Sequence, residues 1–427
     1  MVSGGPYGLE ELVQKTGFGA AIAILVATPL VWSLPTALMV GELAAAVPED
    51  GGYYVWVRRA LGDFWGYQGA WLSLAASVFD MAIYPTLFVL YLQRLWPAMG
   101  QPPYPVLVSV LVIAACAAWN MAGARAVGDG SALMTVLLVA PFAVLSVFAL
   151  LSPRAMPVAS APSPLTLGDA GSGILIAMWN YMGWDNASTV AGEVHRPQRT
   201  YPVAVFVAIA LIAASYTIPV GAMWYAGVDP SAWQTGSWVE VARHYGGAVL
   251  ATSVVVGGML SSLGMFNALC LSYSRLPVVL ARDGYLPAAC ARRFQANDAP
   301  WVAILLCSAL WTASLGLSFK RLVSLDILLY GTSLVLEFVA FVALRRREPD
   351  LPRPFLVPGG LPVAILLGLG PLLVLGVTLA DNLHEDAFGL NALVFGALVV
   401  GAGPILYGVT RRLSSLPLRG RAGVGGD

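Results

Sequence analysis

Ala177-Met178-Trp179-Asn180-Tyr181-Met182-Gly183-Trp184-Asp185-Asn186-Ala187-Ser188-Thr189 lies within an apolar stretch, residues 171–194, that is otherwise long enough to cross a bilayer. A lipid-facing helix would place leucines there, yet this one places a glycine, two asparagines and an aspartate between bulky aromatic residues. Backbone that leaves the helix at membrane depth survives only where its freed amide and carbonyl groups face protein, water or a ligand. The stretch therefore reads as an interrupted helix beside a cavity. Trp179, Tyr181 and Trp184 would wall that cavity, and an amine gains attraction over an aromatic face. The plainer alternative is an aromatic packing cluster without a guest.

The surrounding sequence sets the medium. Of 427 residues, 58% are hydrophobic and 11% charged, against about 25% charged in ordinary soluble domains. The apolar residues fall into spans at 17–47, 64–97, 104–122, 130–151, 171–193, 201–226, 246–274, 299–318, 322–344, 361–380 and 389–410, near the ~20 residues that cross a hydrocarbon core as helix. An all-α polytopic membrane protein follows, with the lipid bilayer as its first partner. If the segment after the first span is cytoplasmic, most of the 23 basic residues sort to that side, leaving Lys15, Arg94, Arg154, Arg243, Lys320 and Arg321 on the other. That asymmetry obeys the positive-inside rule and predicts a multi-pass protein of the cell (inner) membrane with a cytoplasmic C-terminus.

Other function classes find little to build on. The 23 acidic residues balance the basic ones, so no polyanion such as nucleic acid is called for. Cys116, Cys270, Cys290 and Cys307 show no C-x-x-C spacing, and His195, His244 and His384 show no ligand spacing. No metal, cofactor or enzymatic constellation is therefore expected, and a channel lacks a ring-forming filter motif. The N-terminus carries no charged-then-apolar signal peptide.

An acid inside a span costs about 2.5 to 3.5 kcal/mol on insertion scales and is a functional candidate by default. Four stand out: Glu42, Asp80, Asp185 and Glu337. Glu42 is near the end of its span, where it is expected to pair with loop arginines. Asp80 is mid-span with no lysine or arginine offered as partner, which suggests a cation from outside the protein; its alternative is a satisfied polar core position. Glu337 divides between the same two readings. An acid that takes up a proton within the membrane can couple transport to it, and Asp80, Asp185 and Glu337 are the candidates.

Two glycine-rich segments complete the reading. Val2-Ser3-Gly4-Gly5-Pro6-Tyr7-Gly8 exposes backbone amides ahead of a short helix at 9–14, and half-helix N-termini of this kind can bind carboxylates. Gly257-Gly258, Ser261-Ser262 and Gly264 place small residues about a turn apart and predict close helix packing.

At these residues the chain resembles the amino acid, polyamine and organocation (APC) superfamily, most closely its plant-type polyamine uptake and L-type amino acid transporter branch. The resemblance is carried by the segment 2–8, by Pro29-Leu30-Val31-Trp32-Ser33-Leu34-Pro35, Gly41-Glu42-Leu43, Pro48 to Tyr53, Asp80 to Pro85, Trp184-Asp185, Ala191 to Val194, and Arg282-Asp283-Gly284-Tyr285-Leu286-Pro287. It implies a five-plus-five inverted-repeat (LeuT-like) fold in one transporter domain: a first repeat over 1–151, a second over 171–345, two additional helices over 361–412 and a cytoplasmic tail at 413–427. Relatives have an apolar half-helix before the glycine motif, whereas this sequence starts inside it, so the first half-helix is expected to be missing. The resemblance further implies that Ser3, Gly4, Gly5, Asp80, Trp179, Asn180, Tyr181, Trp184, Asp185 and Asn267 bind a small-molecule amine, an amino acid or a polyamine. Transport would be alternating-access, proton-coupled uptake or exchange. Thr36 stands where polyamine-type relatives often have Glu. A sensor that binds amines without moving them would use the same pocket.

Overall fold

Without water to satisfy an open backbone, apolar runs of this length fold as helices. The computed structural model describes residues 5–151, 165–381, 386–387 and 390–415. Among them the regular secondary structure is helical apart from a short antiparallel pairing of Asp386–Ala387 with Leu390–Asn391.

The helices are α1 (Glu10–Thr28), α2 (Leu34–Ala46), α3 (Tyr53–Leu61), α4 (Asp63–Leu95), α5 (Tyr104–Met121), α6 (Ala124–Leu151) and α7 (Leu167–Asn180). There follow α8 (Pro197–Tyr225), α9 (Trp238–Tyr273), α10 (Arg275–Arg282), α11 (Trp301–Thr312), α12 (Phe319–Arg347), α13 (Gly360–Asp381) and α14 (Ala392–Ser415). A π turn, Pro29–Ser33, joins α1 to α2. Eight helical stretches among the described residues are long and apolar enough to cross a membrane. Of the other three expected spans, that at 361–380 falls within α13, and that at 299–318 gives the shorter apolar helix α11. The stretch at 171–193 is split between α7 and a 3-10 turn, Asn186–Glu193. Exposed leucines and valines such as Leu111, Val136, Leu211 and Leu373 form the surface that meets lipid.

The long buried helix α4 packs along α12 on one side and α9 on the other, and α9 also lies along α6. α4 and α12 run antiparallel. Phe319, at the start of α12, shares a pocket with Thr86 and Leu90 in the second half of α4. Farther on, Ser333 Oγ is 3.0 Å from Ser73 Oγ, and Arg347 at the end of α12 donates to the Ala60 carbonyl, just ahead of α4. The contact between α4 and α9 is closer still. A Cβ on Gly258 would lie 2.6 Å from the Tyr91 ring, so only glycine fits there. Gly257 and Gly258 of α9 thus serve packing, as their spacing predicts, whereas Ser261 lines the cavity described below.

One buried ion cluster ties the end of α12 to α2. Glu42 is wholly buried. Its carboxylate accepts from Arg345 Nε at 2.9 Å and from the Val357 backbone N–H at 2.8 Å, and Arg353 Nε stands 3.3 Å away. The expected pairing of Glu42 with arginines is what the structure contains, and the carboxylate joins α2, α12 and the segment leading to α13. Beside it, Arg59 of α3 donates to Glu348 at 3.0 Å, and the guanidinium holds that carboxyl below the usual carboxylate range.

Removing one member of a buried ion cluster leaves charge uncompensated, at a cost of about 3 to 5 kcal/mol. Glu42→Ala is therefore expected to lower the thermal unfolding temperature of the detergent-purified protein sharply. A loss below about 1 kcal/mol, as for an exposed pair, would show that the cluster is solvated.

Candidate functional site

The interruption of the helix is built from the sequence that announces it. α7 ends at Asn180, and Gly183 adopts φ +89°, a conformation side-chain-bearing residues rarely reach. The chain then tightens into the 3-10 turn. The peptide groups released here are taken up by side chains from neighbouring elements. Tyr216 of α8 donates to the Asn180 carbonyl at 2.9 Å, and Ser33 of the π turn to the Tyr181 carbonyl at 3.3 Å. Gly183 N–H donates to Tyr330 Oη of α12 at 3.2 Å, and Ser272 of α9 donates to the Asn186 carbonyl at 2.6 Å.

Beside the interruption is a cavity of about 320 Å³ between α4, α6, α7, α8 and α9. Asp80, Tyr84, Trp179, Asn180, Tyr216 and Tyr273 are among its walls. The Asp80 carboxylate accepts from Tyr84 Oη at 2.9 Å and from Tyr273 Oη at 3.1 Å. Among the described residues, no lysine or arginine forms an ion pair with it. The Trp179 ring lies 6.2 Å from that of Tyr84, centroid to centroid, and packs edge-on against Phe319. The site thus offers a carboxylate held by two hydroxyls, with aromatic surface beside it.

The cavity opens toward one end of the bundle, where Gly128 and Ala187 on its rim are exposed. Toward the other end the chain is sealed around Glu10, which is wholly buried. Its carboxylate accepts from Gly8 N–H at 2.8 Å, Gly236 N–H at 2.9 Å and Tyr91 Oη at 2.7 Å. Trp238 Nε1 donates to the Pro6 carbonyl at 3.0 Å across the same seam.

Several residues expected in the site lie elsewhere. Beyond Gly183 the chain has turned, and Trp184 and Asp185 sit behind the cavity wall. Trp184 is buried, its Nε1 donating to the Tyr181 carbonyl at 2.7 Å, and Asp185 accepts from Tyr330 Oη. Tyr181 points into the packing between helices and donates to the Leu25 carbonyl at 3.0 Å. Asn267 is turned toward α5, where its Oδ1 accepts from Asn120 at 2.7 Å. Gly5 is buried against Leu138 with φ +76°, and Glu337 is buried in α12; neither is part of the cavity lining. Ser3 and Gly4 lie outside the described residues. Of the expected residues, Asp80, Trp179 and Asn180 are brought together.

The structure adds residues the sequence reading passed over. Asp326 of α12 is fully buried, within electrostatic reach of both Asp80 and Asp185. Its position four residues before Tyr330 and eleven before Glu337 was a readable signal. Glu10, read only as part of a short N-terminal helix, closes the far end. The tyrosines that hold the acids carry no signal beyond their own spacing, such as Asp80 and Tyr84 one turn apart.

The amino acid permease family model matches residues 1–400. The polyamine transporter RMV1 of Arabidopsis thaliana is 34% identical over 410 residues, covering 93% of this chain and 81% of that protein. The polyamine transporter PUT1 of Oryza sativa subsp. japonica is 34% identical over 400 residues, covering 93% and 75%. An uncharacterized transporter of Mycobacterium tuberculosis is 28% identical over 416 residues, covering 94% and 86%. The match runs through the interrupted helix and through every helix that walls the cavity, and on that extent the chain belongs to the amino acid permease family of membrane transporters.

Proposed function

We propose that this transporter carries small amines, polyamines first and amino acids second, across the cell membrane by alternating access, as proton-coupled uptake or exchange. The observation that carries the reading is Asp80: a buried carboxylate on a cavity wall, beside Trp179, with hydroxyl donors and no basic residue as ion-pair partner among the described residues. An ammonium group supplies the missing countercharge, and the aromatic rings add cation-π attraction. Two relatives named as polyamine transporters, each about a third identical over 93% of the chain, support the polyamine choice.

The one-sided opening supports alternating access. The basic residues Arg125 and Arg196 follow or precede the rim segments closely in sequence, so the positive-inside rule puts the open end and the C-terminus toward the cytoplasm. On this reading the Glu10 seam is the outer closure, and the molecule is arranged to release its guest inward. The family's five-plus-five repeat, over 1–151 and 171–345, would supply the rocking movement. Within it, Asp80, Asp185 and Glu337 remain candidates for the coupling proton.

Asp80→Asn keeps shape and removes charge. In proteoliposomes it is expected to weaken amine uptake about 30-fold or more, ~2 kcal/mol or above, as for a buried charge deprived of its partner. Unchanged uptake of labelled spermidine or putrescine would refute the assignment. Competition by neutral amino acids ranks the two substrate classes, and binding without accumulation would identify a sensor.

Glu10→Ala is expected to open the outer seam, because three donors lose a common acceptor. A cysteine introduced by Thr235→Cys in a cysteine-free background would then react faster with an impermeant maleimide added outside. Equal labelling rates with and without the substitution would remove Glu10 from the closure.

A further inference from the structure

Behind the interrupted helix, α12 carries polar residues on a face that is otherwise apolar. Asp326, Tyr330, Ser333 and Glu337 recur at intervals of four, three and four residues, which is one stripe of a helix. All four are buried, Asp326 at 0% and Glu337 at 1% exposure. Tyr330 is bonded to Asp185 and Ser333 to Ser73. By contrast, among the described residues both oxygens of Asp326 and both oxygens of Glu337 lack a hydrogen-bond partner, as does the buried Tyr53 hydroxyl. The groups facing Asp326 are Asp80 and Tyr84 of α4, Asp185 of the interruption and Tyr273 of α9. Those facing Glu337 are Asp185, Tyr330 and Tyr53 of α3. Two turns farther along α12, Arg345 is committed to Glu42.

We propose that Asp326 and Glu337 are two further cation sites, separate from the amine cavity, and that the cation each takes up is a proton that drives transport. This deepens the transport reading above and rests on it. Three observations select the proton. Neither acid lines the cavity, so neither meets the amine directly. Asp326 and Glu337 stand three turns, about 16 Å, apart, so they cannot share one ion's oxygen shell. Among the described residues, no group of three or more His, Cys, Asp or Glu side chains is arranged to hold a metal.

The division of labour among the acids follows from their donors. Hydroxyl groups donate to Asp80 and Asp185, which favours their charged forms. No donor does so for Asp326 or Glu337, and a buried acid without countercharge is neutral. Asp326, beside Asp80 and Asp185, senses whether an ammonium has arrived to neutralise them; an added positive charge favours loss of its proton. Each acid gains and loses its own proton: an O–H bond forms on the carboxylate as one on a hydronium ion breaks, and the reverse on release, with no change in electron count.

The test has two arms. In proteoliposomes, Asp326→Asn and Glu337→Gln are each expected to lower the ratio of pH-gradient-driven accumulation of labelled spermidine to its counterflow exchange at least about tenfold. A ratio unchanged in both overturns the proposal. In detergent-purified protein at neutral pH, the infrared spectrum is expected to contain a protonated-carboxyl C=O band that each substitution diminishes. Absence of the band in the unaltered protein, or an undiminished band in both variants, overturns it too. If Asp326→Asn does not yield folded protein, Asp326→Glu is expected to keep both the band and the coupling, and loss of both in a folded Asp326→Glu counts against the site. Liposomes that move no amine at all would sink the transport reading, while the infrared arm would still decide protonation.

Discussion

A peptide group released from a helix inside hydrocarbon has to find another partner, and at residues 180–186 this protein meets that demand with side chains from α8, α9, α12 and the turn between α1 and α2. Each unsatisfied group would cost several kcal/mol there. The interruption is therefore possible only because those elements converge on it, and their convergence is what encloses the cavity. Asn180 and Gly183 are cavity wall and backbone break at once.

The buried acids show how the same side-chain chemistry takes different roles according to its donors. Glu42 is matched by two arginines and acts as a brace. Glu10 gathers two backbone N–H groups and a tyrosine hydroxyl, which orders three stretches distant in sequence. Asp80 is held by two tyrosines yet remains open to the cavity. A carboxylate with full ionic compensation is structural, whereas one with hydroxyl donors alone has capacity left for a positively charged guest.

Much of this was legible before any coordinates. Composition and run length established helices in a bilayer. The polar cluster at 177–189 marked the interruption, because a glycine among polar residues at mid-span is stable only where the backbone turns toward protein, water or a guest. Asp80 stood out for the same reason. What could not be read was direction. The turn at Gly183 sends Trp184 and Asp185 behind the wall that Trp179 and Asn180 form, and which way a chain leaves a positive-φ glycine depends on partners far away in sequence, here Tyr330. The placing of Asn267 depends on a distant partner in the same way, since its side chain answers to Asn120 of α5. Asp326 is different: its helical spacing to Tyr330 and Glu337 was present in the residues and was overlooked among the leucines around it.

The close approach of α9 to Tyr91 at Gly258 has a mechanical corollary. Tyr91 also holds Glu10, while the far end of the same α9 delivers Tyr273 to Asp80. With no side chain at position 258 the helix backbone comes down onto the ring itself, so any larger residue there would have to displace Tyr91 and with it the hydroxyl that Glu10 accepts from. One absent methyl group on α9 thus protects the ordering of the buried Glu10 cluster at the start of the chain.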